Sequence, residues 1–146
     1  MNMTITKRKK INSVLLIDDN EIDNFLHRKI MENWGATNIT TFESPITALQ
    51  YLEQTKDIPQ LILLDINFPL MDGFEFLDEF KKLEIAQHPI DIFILSATSN
   101  PADIEKAQQK CSGFIEKYLT KEKLITQIDL LNHSCAHKIS FSLEIF

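Results

Sequence analysis

Basic residues are in deficit in this chain, 15 against 21 acidic ones, for a net charge of −6. The shortage argues against a nucleic-acid surface, which needs cations clustered on one face, and suits a soluble protein. The one basic run, Lys7 to Lys10, falls short of the several further cations that phosphate-backbone binding requires. It reads as a solvated arm rather than a nucleic-acid or anionic-lipid contact. Cysteine is also scarce: Cys111 and Cys135 stand far apart in a chain with no signal peptide, the pattern of reduced cytosolic thiols. No apolar stretch approaches the ~20 residues of a membrane span, and the opening MNMTITKRKK lacks the apolar core of a secretory signal. A cytoplasmic protein is the expectation.

At 146 residues the chain suits one domain with its own core. Three short apolar runs end in, or lead to, side chains that handle phosphate: VLLIDD at 14–19, LILLD at 61–65 and FIEK at 114–117. Strand-like runs alternate with helical patterns throughout, which is the mark of βα units and a parallel sheet. Val14 to Ile17, Leu61 to Leu64 and Ile92 to Leu95 are continuously apolar, as strands covered on both faces should be. Asn38 to Phe42 and Phe114 to Glu116 supply two more strands.

The helices fall between the strands. Ile22, Phe25, Leu26, Ile30 and Trp34 recur at helical spacing and Gly35 follows as a stop. Ser44–Pro45 and Asn100–Pro101 each pair a cap with a first-turn proline, placing Ala48, Leu49 and Leu52, then Ile104 and Ala107, inward. A helix bearing Phe76, Leu77, Phe80 and Leu83 follows the loop NFPLMDG, and Lys121 to Leu131 forms the last, with Leu124, Ile128 and Leu131 on one face. The fold class is therefore α/β: a doubly wound, five-stranded parallel sheet in the flavodoxin-like order 2-1-3-4-5, with helices on both faces. Strands 1 and 3 are neighbours at its switch point, so Asp18, Asp19 and Asp65 converge there and Lys117 joins them.

Two like charges about 4 Å apart repel by roughly 4 kcal/mol near a surface. Three converging carboxylates need a cation, and Mg2+ suits them, since it takes one or two carboxylates and completes its shell with water and phosphate oxygens. Phosphoryl transfer needs little more than a nucleophile, that metal and a donor opposite. Asp65 can be the nucleophile, Lys117 a flexible point charge on the phosphoryl oxygens, and Ser96 a hydroxyl donor. Each residue alone is ordinary strand-end chemistry; four strand ends meeting at one edge are not.

At this point the sequence resembles the receiver domain of two-component response regulators, over about residues 12–131. The resemblance rests on IDD at 17–19, LLDINFPLMDGFEF at 63–76, LSA at 95–97 and FIEK at 114–117. It implies a phosphoacceptor signalling domain rather than an enzyme, with Asp65 taking phosphate from a phosphohistidine of a sensor histidine kinase or phosphotransfer protein. It further implies Asp19 as a direct Mg2+ ligand, Asp18 as one largely through water, and the backbone carbonyl of Asn67 as another. Ser96 and Phe114 would be the switch pair, with the Ala97 backbone beside Ser96. A downstream protein would read the phosphorylated surface from the fourth helix to the fifth. The family usually has proline after the lysine; here Tyr118 follows Lys117. Since a non-proline cis bond costs roughly 3 kcal/mol, a trans bond is expected there. Lys110 stands at a helix end where the family often has glycine.

Residues 1–11 read as an arm and 132–146 as an extension. Within the extension KISFSLEIF at 138–146 alternates like a strand with one apolar face. It could add to a sheet edge, pair two chains as a homodimer, or pack on its own domain. His133, Cys135 and His137 lack a fourth ligand, so zinc is not expected. His27 and His88 read as surface residues, and Met71 as core. Two rivals stand beside the phosphoacceptor: an unphosphorylated pseudo-receiver, and a hydrolase of the haloacid dehalogenase type. The hydrolase pattern needs a second Asp two residues after the nucleophile, where this chain has Asn20 after Asp18 and Asn67 after Asp65.

Overall fold

The computed structural model of the protein describes residues 10–132. The strands are β1 (Ser13–Ile17), β2 (Asn38–Phe42), β3 (Leu61–Leu64), β4 (Asp91–Ser96) and β5 (Gly113–Glu116). Between them run α1 (Glu21–Asn33), α2 (Pro45–Gln54), α3 (Gly73–Phe80) with a 3-10 turn at Glu84–Gln87, and α4 (Pro101–Lys110); α5 covers 121–132. All four strand pairings are parallel, in the order β2-β1-β3-β4-β5, as the sequence predicts. The tail pattern at 138–146 and the His133, Cys135, His137 group lie outside the described residues. Among those described, no helix is long and apolar enough to cross a membrane.

Continuous apolar strands bury alternate side chains on opposite faces. Leu15, Ile17, Ile62, Leu64, Ile92 and Ile94 meet Ala48 and Leu52 of α2, Phe76, Leu77 and Phe80 of α3, and Ala107 of α4. Val14, Leu16, Leu61, Leu63, Phe93 and Leu95 turn the other way, onto Met31 of α1 and Leu124 and Ile128 of α5. Burial of these side chains contributes on the order of 2 kcal/mol each before the entropy of ordering them is counted.

The helix starts follow local chemistry. Asn20 accepts from the amides of Ile22 and Asp23, Ser44 from Ile46 and Asn100 from Ala102, while Asp72 and Glu75 form a reciprocal capping box on α3. After α1, Gly35 takes φ 106°, the left-handed conformation that stops the helix.

Four expectations are corrected. In α1, Ile22, Phe25 and Leu26 are 67%, 56% and 44% exposed, and the buried residues are Asp23, Asn24, His27 and Met31. The helix is rotated because its polar residues have stronger partners inward: Asn24 Nδ2 donates to the carbonyl of Asp18 at 2.8 Å, and Asp23 meets a lysine. His27, expected at the surface, is carried inward by the same rotation and is 2% exposed, whereas His88 is exposed. Leu83 lies beyond α3, where the chain tightens through a Leu83 N–H to Phe80 carbonyl bond into the 3-10 turn. The Lys117–Tyr118 peptide, expected trans, is cis. Lys123 Nζ reaches the carbonyls on either side of that segment, of Glu116 and of Tyr118, both at 3.0 Å.

Candidate functional site

Register places the acids. Ile17 lies opposite Leu64 in the β1–β3 pair, so the residues that follow, Asp18 and Asp65, leave the sheet side by side. The Asp65 amide donates to the Ile17 carbonyl and that of Asp18 to Phe42, both at 3.0 Å. One oxygen from each of Asp18, Asp19 and Asp65 lies within 4.8 Å of the others. Asp18 and Asp65 are buried while Asp19 is open to solvent. Hard carboxylate oxygens with one open side are the donor set that Mg2+ takes, so the residues present fit that ion.

The cation of the cluster is Lys117, one residue beyond β5. Its backbone N–H donates to the Ser96 carbonyl at 2.9 Å, and its Nζ lies 2.7 Å from Asp18 Oδ2, 2.7 Å from Asp23 Oδ2 and 3.1 Å from Asp65 Oδ2. All four side chains are less than a tenth exposed. Burial alone would lower the lysine pKa, but the hydrogen bonds to Asp18 and Asp23 and the charge of Asp65 outweigh it and hold the ammonium above its ordinary value. Asp18 is raised, chiefly by burial and also by the Asp65 charge, with the Lys117 and Asn20 hydrogen bonds opposing. His27 is lowered to about 4 by burial and by the Lys117 charge, so the imidazole beneath the site is neutral at pH 7. Its Nε2 and Asn24 Oδ1 are buried without a hydrogen-bond partner.

The loop after β3 closes over the acceptor. Asp65 Oδ1 takes the Ile66 amide at 2.7 Å, and the Gly73 N–H returns to the Ile66 carbonyl at 2.8 Å. A Cβ on Gly73 would overlap the Asp65 carbonyl oxygen, so only glycine lets α3 start this close to the acid. Ser96, 1% exposed, ends β4 with its Oγ facing the Thr98 amide at 3.4 Å. Asn67 is exposed on the loop two residues past Asp65, and Ala97 is exposed beside Ser96. Phe114 is buried on the α4 side of the sheet. Lys110 pairs with Asp78 of α3 at 2.9 Å, and that hydrogen bond holds the Asp78 carboxyl below its usual range.

Asp18, Asp19, Asp65 and Lys117 thus meet as the sequence predicts. Asp23 is the residue that sequence reasoning missed. Its signal was available: it stands four residues after Asp19, one turn into the helix that leaves the acidic pair, and so returns to the same cleft.

The sequence matches the response regulator receiver domain family over residues 14–129. It is 31% identical over 117 residues to the polar-differentiation response regulator DivK of Brucella ovis, covering 80% of this chain and 92% of that one. It is also 31% identical over 108 residues to the sensor histidine kinase CheAY of Helicobacter pylori, covering 74% of this chain but 13% of the kinase. Among solved structures, a two component response regulator from Cytophaga hutchinsonii superposes with TM-score 0.73 at 30% identity, covering 86% of this chain and 99% of that one. The receiver domain of the Arabidopsis thaliana histidine kinase CKI1, solved as a complex with Mg2+, shares the fold with TM-score 0.67 at 20% identity over 80% of this chain and 90% of that one.

Proposed function

Because the chain belongs to the response regulator receiver family, we propose that it is a cytoplasmic phosphoacceptor, taking a phosphoryl group onto Asp65 from a phosphohistidine. The observation that carries this reading is one geometry. The Asp65 carboxylate sits 3.1 Å from Lys117 Nζ and shares a metal-sized cluster with Asp18 and Asp19. An Asp65 oxygen attacks phosphorus, a P–O bond forms as the P–N bond breaks, and the departing imidazole nitrogen keeps the electron pair and takes a proton. Asp18, Asp19, Asp65 and the carbonyl of Asn67 would hold Mg2+, which when bound neutralises charge on the phosphoryl oxygens. Lys117, a compact ammonium with three donors, supplies the second cation without giving up its proton, and the Ser96 hydroxyl donates to the same oxygens.

The new group adds about two negative charges where one stood. Ser96 is drawn toward it, the loop into α4 follows, and Phe114 on β5 repacks. The surface from α4 to α5 then differs between two populations, and a downstream protein reads the difference. The donor would be a sensor histidine kinase or a phosphotransfer protein. Ile22, Phe25 and Leu26, exposed on the helix that begins beside the acids, offer that partner an apolar landing face. Incubation with acetyl phosphate and Mg2+, followed by intact mass, should show one phosphoryl group on the wild type and none on Asp65→Asn. No gain under any condition would instead favour a pseudo-receiver acting only as an interaction module.

A further inference from the structure

We propose that Asp23 is a positioning residue for the transfer, holding the Lys117 ammonium where its other two N–H groups face Asp18 and the acceptor, Asp65. The inference rests on Asp65 being the phosphoacceptor. A lysine ammonium has three donors, and the three carboxylates Asp18, Asp23 and Asp65 meet them at 2.7, 2.7 and 3.1 Å. Asp18 and Asp65 belong to the trio that can hold a cation, whereas Asp23 does not. When the metal and the phosphoryl group engage the first two, Asp23 is the partner that stays.

Its own place is well secured. Asn20 caps the Asp23 amide at 3.1 Å, and Asn24 ties the same turn of α1 to the Asp18 carbonyl at 2.8 Å and the Phe42 carbonyl at 3.3 Å. The Asp23 carboxylate is therefore referenced to the end of β1, beside the acceptor, while Lys117 comes on a flexible four-carbon stem. A further negative charge next to an incoming phosphoryl group opposes it, so any benefit from Asp23 must act through Lys117.

The test compares phosphorylation rates with phosphoramidate at saturating Mg2+, followed by intact mass, for the wild type, Asp23→Ala, Asp23→Asn, Lys117→Met and the Asp23→Ala/Lys117→Met double variant. Asp23→Ala should slow the reaction about tenfold, the scale of one charge-assisted hydrogen bond. Asp23→Asn, whose side-chain oxygen still accepts from the ammonium, should recover most of that loss. In the Lys117→Met background, followed over longer incubation, Asp23→Ala should add nothing. Should Asp23→Ala lose its circular dichroism signature, Asp23→Ser takes its place in every comparison. A wild-type rate for Asp23→Ala, failure of Asp23→Asn to recover, or an equal slowing without Lys117 would each overturn the positioning role alone. A wild type that gains no phosphoryl group would overturn the phosphoacceptor reading and this inference with it.

Discussion

Replacing Lys117 by methionine keeps the length of the side chain and removes its charge from between three carboxylates. Asp18, Asp23 and Asp65 lie 2.7, 2.7 and 3.1 Å from its nitrogen, and each is less than a tenth exposed. Stripping the partner from a buried ion pair costs about 3–5 kcal/mol. Repulsion between two bare carboxylates about 4 Å apart gives roughly 4 kcal/mol at an effective dielectric of 20, so two independent routes agree. At a urea slope of about 2 kcal/mol per molar, the midpoint in chelator should fall by roughly 2 M. Mg2+ should then reverse much of the loss, since a ligand at a hundredfold its Kd adds about 2.7 kcal/mol, and in the variant it no longer competes with an ammonium for Asp18 and Asp65. Asp18, already raised by burial, loses the opposing Lys117 hydrogen bond in the variant and rises further, so its share of the deficit is full above that pKa and shrinks as pH falls through it. Urea unfolding with EDTA and with excess Mg2+ measures both effects. Equal midpoints in EDTA, or a larger Mg2+ gain in the wild type than in the variant, would refute the reasoning.

Three further outcomes follow from single features. His27 falls from 6.5 to about 4 in the folded state, so its contribution is complete above pH 6.5 and is lost as pH drops through about 4. At 1.36 kcal/mol per pH unit the loss is about 3 kcal/mol, and the stability difference between the wild type and His27→Phe should shift by that amount; parallel pH curves would contradict it. Gly73→Ala drives a methyl against the backbone of Asp65 and Ile66, which cannot rotate away. A cost of about 1–3 kcal/mol should lower Tm by roughly 3–10 °C, and an unchanged Tm would mean the loop yields freely. Phe25, 56% exposed, should tolerate serine within about 0.5 kcal/mol, whereas Phe76, fully buried, should lose about 3–5 kcal/mol as alanine. Denaturant melts of the pair decide between this helix orientation and the one that apolar spacing suggests.

Most of the fold was legible because it is written in local signals. Strands buried on both faces must be apolar at every position, and Val14 to Ile17, Leu61 to Leu64 and Ile92 to Leu95 are. Ser44–Pro45 and Asn100–Pro101 announce helix starts through backbone amides that need acceptors, and both caps form. The rotation of α1 was not legible. Periodicity counts apolar residues, yet the face that turns inward is decided by what waits there, in this case the Lys117 ammonium and the Asp18 and Phe42 carbonyls. The cis bond after Lys117 was equally hidden, since the average preference of a lysine–tyrosine peptide is trans.

By itself, then, the sequence determined the order of βα units, the parallel sheet they imply, and the meeting of Asp18, Asp19, Asp65 and Lys117 at the carboxyl edge, because strand pattern and right-handed crossover leave few alternatives. Only the tertiary structure decided how the lysine charge is shared. Burial removes the water that would otherwise solvate each carboxylate, so the three N–H groups of one ammonium must serve three acids, and Asp23, unremarkable in a helix read alone, becomes one of them.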